Sequence, residues 1–93
     1  MPSSSNEKAW FVYILRCADN TLYTGITTDV DKRIQQHNGS DKKGAKYTRC
    51  RQPVRLVYQE SSESRSDASK REYTIKSLKK LEKEYLVDVY QVI

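Results

Sequence analysis

The chain lacks any long apolar run. No stretch of its 93 residues approaches the roughly 18 consecutive apolar residues of a membrane-crossing helix, so no membrane partner is expected. Residues 1–8 carry no apolar core of a secretory signal and read as a flexible polar tail, which points to the cytoplasm. Cysteine is scarce: Cys17 and Cys50 are the only two, and without a signal they read as free thiols, not a disulfide framework. With the single histidine, His37, they make three soft ligands at no zinc-site spacing. Apolar residues are 37% of the chain and mean hydropathy is −0.85, enough for a small core and little more. The length is that of one domain, residues 9–93, without internal repeats or a linker.

Positive charge is plentiful, and it is clustered. The net charge is +5, yet residues 1–40 sum to zero. Residues 41–58 carry +5 and residues 69–83 carry +4, while 59–68 and 84–93 are each −2. Two basic segments in one small domain form the electrostatic footprint of a polyanion binder. A merely solvated basic surface is the competing reading.

Trp10 to Leu15 is a run of aromatic, β-branched and apolar residues and reads as a buried strand. Ala18-Asp19-Asn20 is a turn signal, and Thr21 to Ile26 reads as the returning strand of a hairpin. A loop of two or four residues would send Tyr13 and Tyr23 to opposite faces. A three-residue loop with Asn20 left-handed is a type I turn with a G1 bulge. It sets Leu15 opposite Tyr23 and Tyr13 opposite Gly25. Both tyrosines then share a face with open space at Gly25, and Val12, Ile14, Leu22 and Ile26 share the other. This register sorts the side chains better and is preferred.

Thr28 with Asp31 suggests a capping-box variant opening a helix, with Val30 and Ile34 inward, Arg33 and His37 on one flank, and Asn38-Gly39 at its end. Residues 39–53 form a long basic loop, of a length often tied to function. Val54 to Gln59 reads as a third strand. Ser66 or Asp67 is expected to cap a helix over 66–79, and a last helix from about Leu81 presents Leu81, Tyr85, Leu86 and Val89 as its apolar face. The order is β-β-α-β-α-α. It belongs to the α+β class, a three-stranded antiparallel sheet flanked by helices.

One residue breaks the pattern. Glu72 falls on the helical stripe of Ala68, Ile75 and Leu78. A carboxylate facing a core is costly unless paired, hydrogen-bonded or metal-bound. An acid so placed in a basic domain suggests metal-assisted phosphate chemistry on nucleic acid. In a helix rotated from this phase, Glu72 would simply pair with Lys76.

Phe11-Val12-Tyr13-Ile14-Leu15, Leu22-Tyr23-Thr24-Gly25-Ile26, Asp29 to Arg33 and His37-Asn38 together resemble the GIY-YIG nuclease superfamily, and within it the small stand-alone bacterial YhbQ-like subgroup. The likeness runs on through residues 43–48, 53–58 and Arg71-Glu72. The resemblance implies a phosphodiester-hydrolysing endonuclease using one divalent ion, Mg²⁺ or Mn²⁺. It places Tyr13 and Tyr23 beside the scissile phosphate, Arg33 on its oxygens and Glu72 on the metal. His37 matches a position where some relatives have tyrosine.

The chemistry suits these residue types. Hydrolysis needs an activated water and a countercharge for the phosphoryl group. Mg²⁺ keeps several waters, so one glutamate can suffice. Arg33 can donate two parallel hydrogen bonds to a phosphate. Either tyrosine can serve as base if a cation helps it lose its proton, and His37 can share that work. Gly25, Lys46, Tyr47 and Arg49 are the expected substrate contacts, the loop residues reaching phosphates and bases. Ile26 stands where several relatives carry lysine, and no C-terminal asparagine matches theirs. The expected partner is nucleic acid, DNA ahead of RNA, with a protein partner supplying specificity and the oligomeric state open. The alternative function is a nucleic-acid-binding module of the same fold with little or no catalysis. Third comes an interaction domain whose charge only confers solubility.

Overall fold

The computed structural model describes residues 9–39, 48 and 51–92. Its first strand, β1 (Trp10–Arg16), is the centre of the sheet. β2 (Leu22–Thr27) and β3 (Arg55–Ser62) pair with it on either side, both antiparallel, in the order β2-β1-β3. A central strand is covered on both faces, which is why residues 12–15 are all buried and show no polar alternation.

The hairpin turns as its residues require. Asn20 has φ 70°, the left-handed conformation that asparagine tolerates. The Cys17 N–H donates to Thr21 O and the Asn20 N–H to Cys17 O, each at 2.9 Å. Tyr13 then stands opposite Gly25, and Leu15 opposite Tyr23. The sheet is thereby sorted into two faces. Val12, Ile14 and Val57 pack with Ala68, Ile75 and Val87 on one side. Tyr13, Leu15, Cys17 and Val54 pack with Tyr23, Ile34 and Leu56 on the other.

β3 is longer than its alternation suggested, and it contains an irregularity. Ile14 pairs with Tyr58, but the next residue, Leu15, pairs with Leu56. The extra residue, Val57, lets Val57 and Tyr58 both reach the first face while Leu56 keeps to the second.

α1 (Val30–Asn38) covers the tyrosine face. Its N-cap is Asp29, not Thr28; the Asp29 carboxylate accepts the Lys32 N–H at 3.1 Å. An ionised acceptor satisfies an open helix N–H and faces the positive end of the helix dipole. Gly39 caps the other end with φ −79°, so it is used there without left-handed backbone. α2 (Arg65–Lys76) and α3 (Lys80–Val92) cover the opposite face. The α2 cap is Ser64, whose hydroxyl accepts the Asp67 N–H at 3.1 Å. Ser66 and Asp67 therefore lie inside the first turn, and the helix ends at Lys76, not at residue 79.

The inner face of α3 differs from the expected one. Of the expected face, Leu86 packs partly buried against the core, but Leu81, Tyr85 and Val89 are exposed at 84%, 68% and 42%, whereas Val87 is buried at 1%. Polar anchoring sets this rotation. Arg16 on β1 grips Glu84 through two hydrogen bonds of 2.9 and 2.6 Å, and the Lys80 ammonium donates to Asn20 O at 2.8 Å. Residues 80, 84 and 87 share one helical stripe, so these contacts turn Val87 inward and leave the more hydrophobic stripe in water.

Candidate active site

The register that puts Tyr13 opposite Gly25 has a steric consequence. A Cβ at residue 25 would come within 2.5 Å of the Tyr13 hydroxyl oxygen and 2.7 Å of its Cζ. Glycine is the residue that lets the phenol lie flat across β2. Gly25 is itself buried, and its geometric part is to make room for Tyr13.

The phenol so housed meets a histidine. The Tyr13 hydroxyl is 2.9 Å from His37 Nε2, and His37 Nδ1 is 2.8 Å from Thr48 Oγ1. All three side chains are buried, at 1% or less. The position of His37 follows from the end of α1. Asn38 exchanges hydrogen bonds with the backbone of Val54, donating to its carbonyl at 3.0 Å and accepting its N–H at 2.7 Å. The Gln52 side chain donates to the carbonyls of His37 and Gly39 at 2.6 and 2.9 Å. The last turn of α1 is thereby clamped to the segment entering β3, and the carbonyls of His37 and Gly39 gain partners.

Tyr23 completes an aromatic triad. Its ring centroid is 6.3 Å from that of Tyr13 and 5.2 Å from that of His37, with edge-to-face geometry to the histidine. Such arrangements align ring edges with ring faces and stabilise rigid clusters. Arg33, one turn before His37, donates to Gln36 Oε1 at 2.8 Å, and its guanidinium acts electrostatically on the Tyr13 phenol.

Electrostatics follow from burial. Tyr13 is pushed up to about 12, first by desolvation and then by the neighbouring Tyr23, with the Glu72 charge adding to the rise. The Arg33 guanidinium opposes it. His37 is pushed down to about 4, by desolvation and then by the Arg33 charge. At neutral pH the resting pair is a protonated phenol and a neutral imidazole.

Glu72 lies on the flank of α2 between the buried Ala68 and Ile75 and is half-buried itself, with 23% of its side chain exposed. Its carboxylate acts electrostatically on Tyr13. It also pairs with Lys76 Nζ at 3.3 Å, and that ammonium lies 6.0 Å from the Tyr23 ring centroid. β2, which carries Tyr23, is an edge strand, and at this edge the α2 flank meets the tyrosine face. Both sequence readings of Glu72 therefore hold at once: it lies on the apolar stripe, and it has an ion-pair partner.

Of the residues expected at the site, Tyr13, Tyr23, Arg33 and His37 come together, with Glu72 in electrostatic reach. Lys46, Tyr47 and Arg49 lie outside the described residues, as does Cys50. Thr48 and Lys76 were not singled out from the sequence. A threonine in a basic loop carries no signal of burial, and Lys76 appeared there only as a surface partner of Glu72. Among the described residues no three of His, Cys, Asp and Glu gather as a metal cage. One sheltered carboxylate in electrostatic reach of the Tyr13 phenol suits a hard ion that keeps its waters, such as Mg²⁺ or Mn²⁺, and does not suit a tetrahedral zinc site.

The family model of the GIY-YIG catalytic domain matches residues 9–85. A UPF0213 protein of Desulfotalea psychrophila is 59% identical over 83 residues, which cover 89% of this chain and 74% of the relative. A UPF0213 protein of the archaeon Halobacterium salinarum is 53% identical, over 81% of this chain and 95% of the relative. Two solution NMR structures are similar. The UPF0213 protein BH0048 from Bacillus halodurans has TM-score 0.56 and 48% identity, covering 87% of this chain and 84% of that one. The protein EF2693 from E. faecalis has TM-score 0.61 and 36% identity, covering 95% and 92%.

Proposed function

The chain belongs to the GIY-YIG nuclease family, and on that footing we propose that it is a divalent-metal-dependent endonuclease hydrolysing phosphodiester bonds, with DNA as substrate ahead of RNA. The observation that carries this is the buried hydrogen bond between Tyr13 and His37, made within reach of Arg33 and Glu72. A phenol hydrogen-bonded to an imidazole and acted on by a guanidinium is an arrangement for moving a proton next to an anion.

Each residue has a definite part. Arg33 binds a non-bridging phosphate oxygen and offsets the charge that builds on it. Tyr13 orients the attacking water and takes its proton, passing its own phenolic proton to His37 Nε2, and Tyr23 walls the pocket beside them. With the phenol at about 12 and the imidazole at about 4, a standing tyrosinate–imidazolium pair lies on the order of 11 kcal/mol uphill. The phenolic proton therefore moves only in step with the water's. Glu72 would hold Mg²⁺ or Mn²⁺, which supplies countercharge and acidifies water when bound. Lys46, Tyr47 and Arg49 are assigned to the substrate backbone and bases, and the basic segment 69–83 to duplex or strand phosphates. No described helix is long and apolar enough to cross a membrane, and we place the activity in the cytoplasm, with a protein partner supplying specificity.

The Glu72–Lys76 ion pair favours a second reading, a binding module of the same fold whose acid is neutralised and which turns over little or not at all. One assay separates the two. Labelled single-stranded, duplex and branched substrates are incubated with Mg²⁺ or Mn²⁺ and wild type, Glu72→Ala or Arg33→Ala protein. Metal-dependent cutting by wild type, lost in both variants while binding largely persists, supports the nuclease. Salt-sensitive binding without cutting by wild type supports the module. Equal cutting by all three proteins would mean a contaminant.

A further inference from the structure

The ion pair on α2 has an unusual asymmetry. Glu72 and Lys76 are one turn apart, and Nζ stands 3.3 Å from Oε2. The carboxylate is sheltered, with 23% of its side chain exposed, while Lys76 is 52% exposed. The acid is the sheltered partner and the ammonium the exposed one, with solvent into which it can move. The ammonium also lies on the functional side of the pair, 6.0 Å from the centre of the Tyr23 ring, whose face attracts cations. The charge of Lys76 thus lies within reach of both the acid and the Tyr23 ring.

A sheltered carboxylate needs a countercharge, and the protein as it stands supplies one from its own helix. A divalent ion on the same oxygens would meet that ammonium at close range. Two like charges sharing one partly dehydrated carboxylate repel far more strongly than an i,i+4 ion pair attracts. The two cations therefore compete for Glu72. We propose that Lys76 is the resident counter-cation of Glu72, displaced when a divalent ion binds, so that the site exchanges one cation for another and never presents a bare acid. The inference rests on Glu72 being the carboxylate that holds the ion.

Several consequences follow from the exchange. Metal affinity in the absence of nucleic acid is held down, because binding must first break the ion pair and lift the ammonium from the Tyr23 ring. The four-carbon stem of Lys76 lets its charge swing outward, where a substrate phosphate can receive it, so the lost ion pair is regained on the nucleic acid. Metal and substrate then bind better together than either does alone.

The test is a Mg²⁺ titration without nucleic acid, followed through amide chemical shifts of residues 70–77 in wild type, Lys76→Met, Lys79→Met and Glu72→Gln. Methionine keeps the stem length and helix propensity, and the amide spectrum itself reports that each variant is folded. Lys76→Met is expected to bind Mg²⁺ roughly three- to tenfold more tightly, the combined worth of a helical ion pair and a cation–π contact. Lys79→Met, which removes the same charge nearby, should change affinity by less than about twofold. Unchanged or weaker binding in Lys76→Met, with binding lost in Glu72→Gln, overturns the exchange and leaves the Glu72 assignment standing. Equal binding in Glu72→Gln and wild type overturns the assignment, and the exchange with it.

Discussion

His37 Nε2 stands 2.9 Å from the Tyr13 hydroxyl, and both rings are buried. Burial suppresses the charged form of each group, which makes their placement a determinant of stability as well as a candidate proton path.

The first prediction concerns pH. His37 titrates near 4 in the folded protein and near roughly 6.5 when unfolded. The folded pKa is depressed, so its stabilising contribution is present above about 6.5 and is lost as pH falls through about 4. Urea unfolding between these limits should show a loss of about 3 kcal/mol attributable to this group. A His37→Gln variant should lack that part of the slope. Tyr13 has the opposite sense: its folded value is raised to about 12, so stability falls as pH climbs from about 10 toward 12. A wild-type stability curve parallel to that of His37→Gln between pH 4 and 6.5 would contradict the buried-imidazole account.

The second concerns Thr48, whose hydroxyl is the partner of His37 Nδ1 at 2.8 Å. Thr48→Val keeps the shape and removes the hydroxyl, leaving a buried ring nitrogen without this bond. A loss of about 1–3 kcal/mol is expected, together with a change in the His37 ¹⁵N shifts that report its tautomer. Thr48→Ser should restore both. Indifference of the ¹⁵N shifts to Thr48→Val would mean that the tautomer is set elsewhere.

The third concerns Gly25. An added Cβ would overlap the Tyr13 Oη and Cζ positions, and the phenol is buried with little room to retreat. Gly25→Ala should cost about 1–3 kcal/mol and displace the phenol from His37, reducing cleavage at least as strongly as it reduces stability. Adding Tyr13→Phe should relieve only part of the strain, since the ring carbon clash remains. Full stability in Gly25→Ala, read from its thermal midpoint, would show that the strand can shift.

The fourth tests the rotation of α3. Val87 is buried at 1% and Leu81 is 84% exposed. Val87→Ala should cost about 2 kcal/mol, and Leu81→Ala should stay within about 0.5 kcal/mol of wild type. The reverse ranking in urea unfolding would restore the phase that hydrophobicity alone suggested.

Much of the fold was legible along the chain because its strongest signals are local. The β-rich run at residues 10–15, the Asn20 turn and the breaks at Gly39 and Pro53 each act over a few residues, and the element order follows from them. The shared face of Tyr13 and Tyr23 was legible too, because a strand has a period of two and the turn type sets the register. On the α3 face Leu86 packs inward as its periodicity suggests, while Leu81, Tyr85 and Val89 do not, because hydrophobic periodicity is blind to a distant arginine. Asp29 and Ser64 displaced the expected caps because several capable residues stand near each helix start, and packing chooses among them.

Sequence by itself settled the period of each element, the charge of each segment and the residue types able to handle a phosphate. Tertiary structure alone decided that His37 is buried between Tyr13 and Thr48, that Glu84 is gripped by Arg16, and that Lys76 shares its acid with the tyrosine edge of the sheet. The physical reason is range. Propensity and turn geometry are fixed by neighbours along the chain, whereas desolvation and ion pairing depend on groups brought together only when the chain folds.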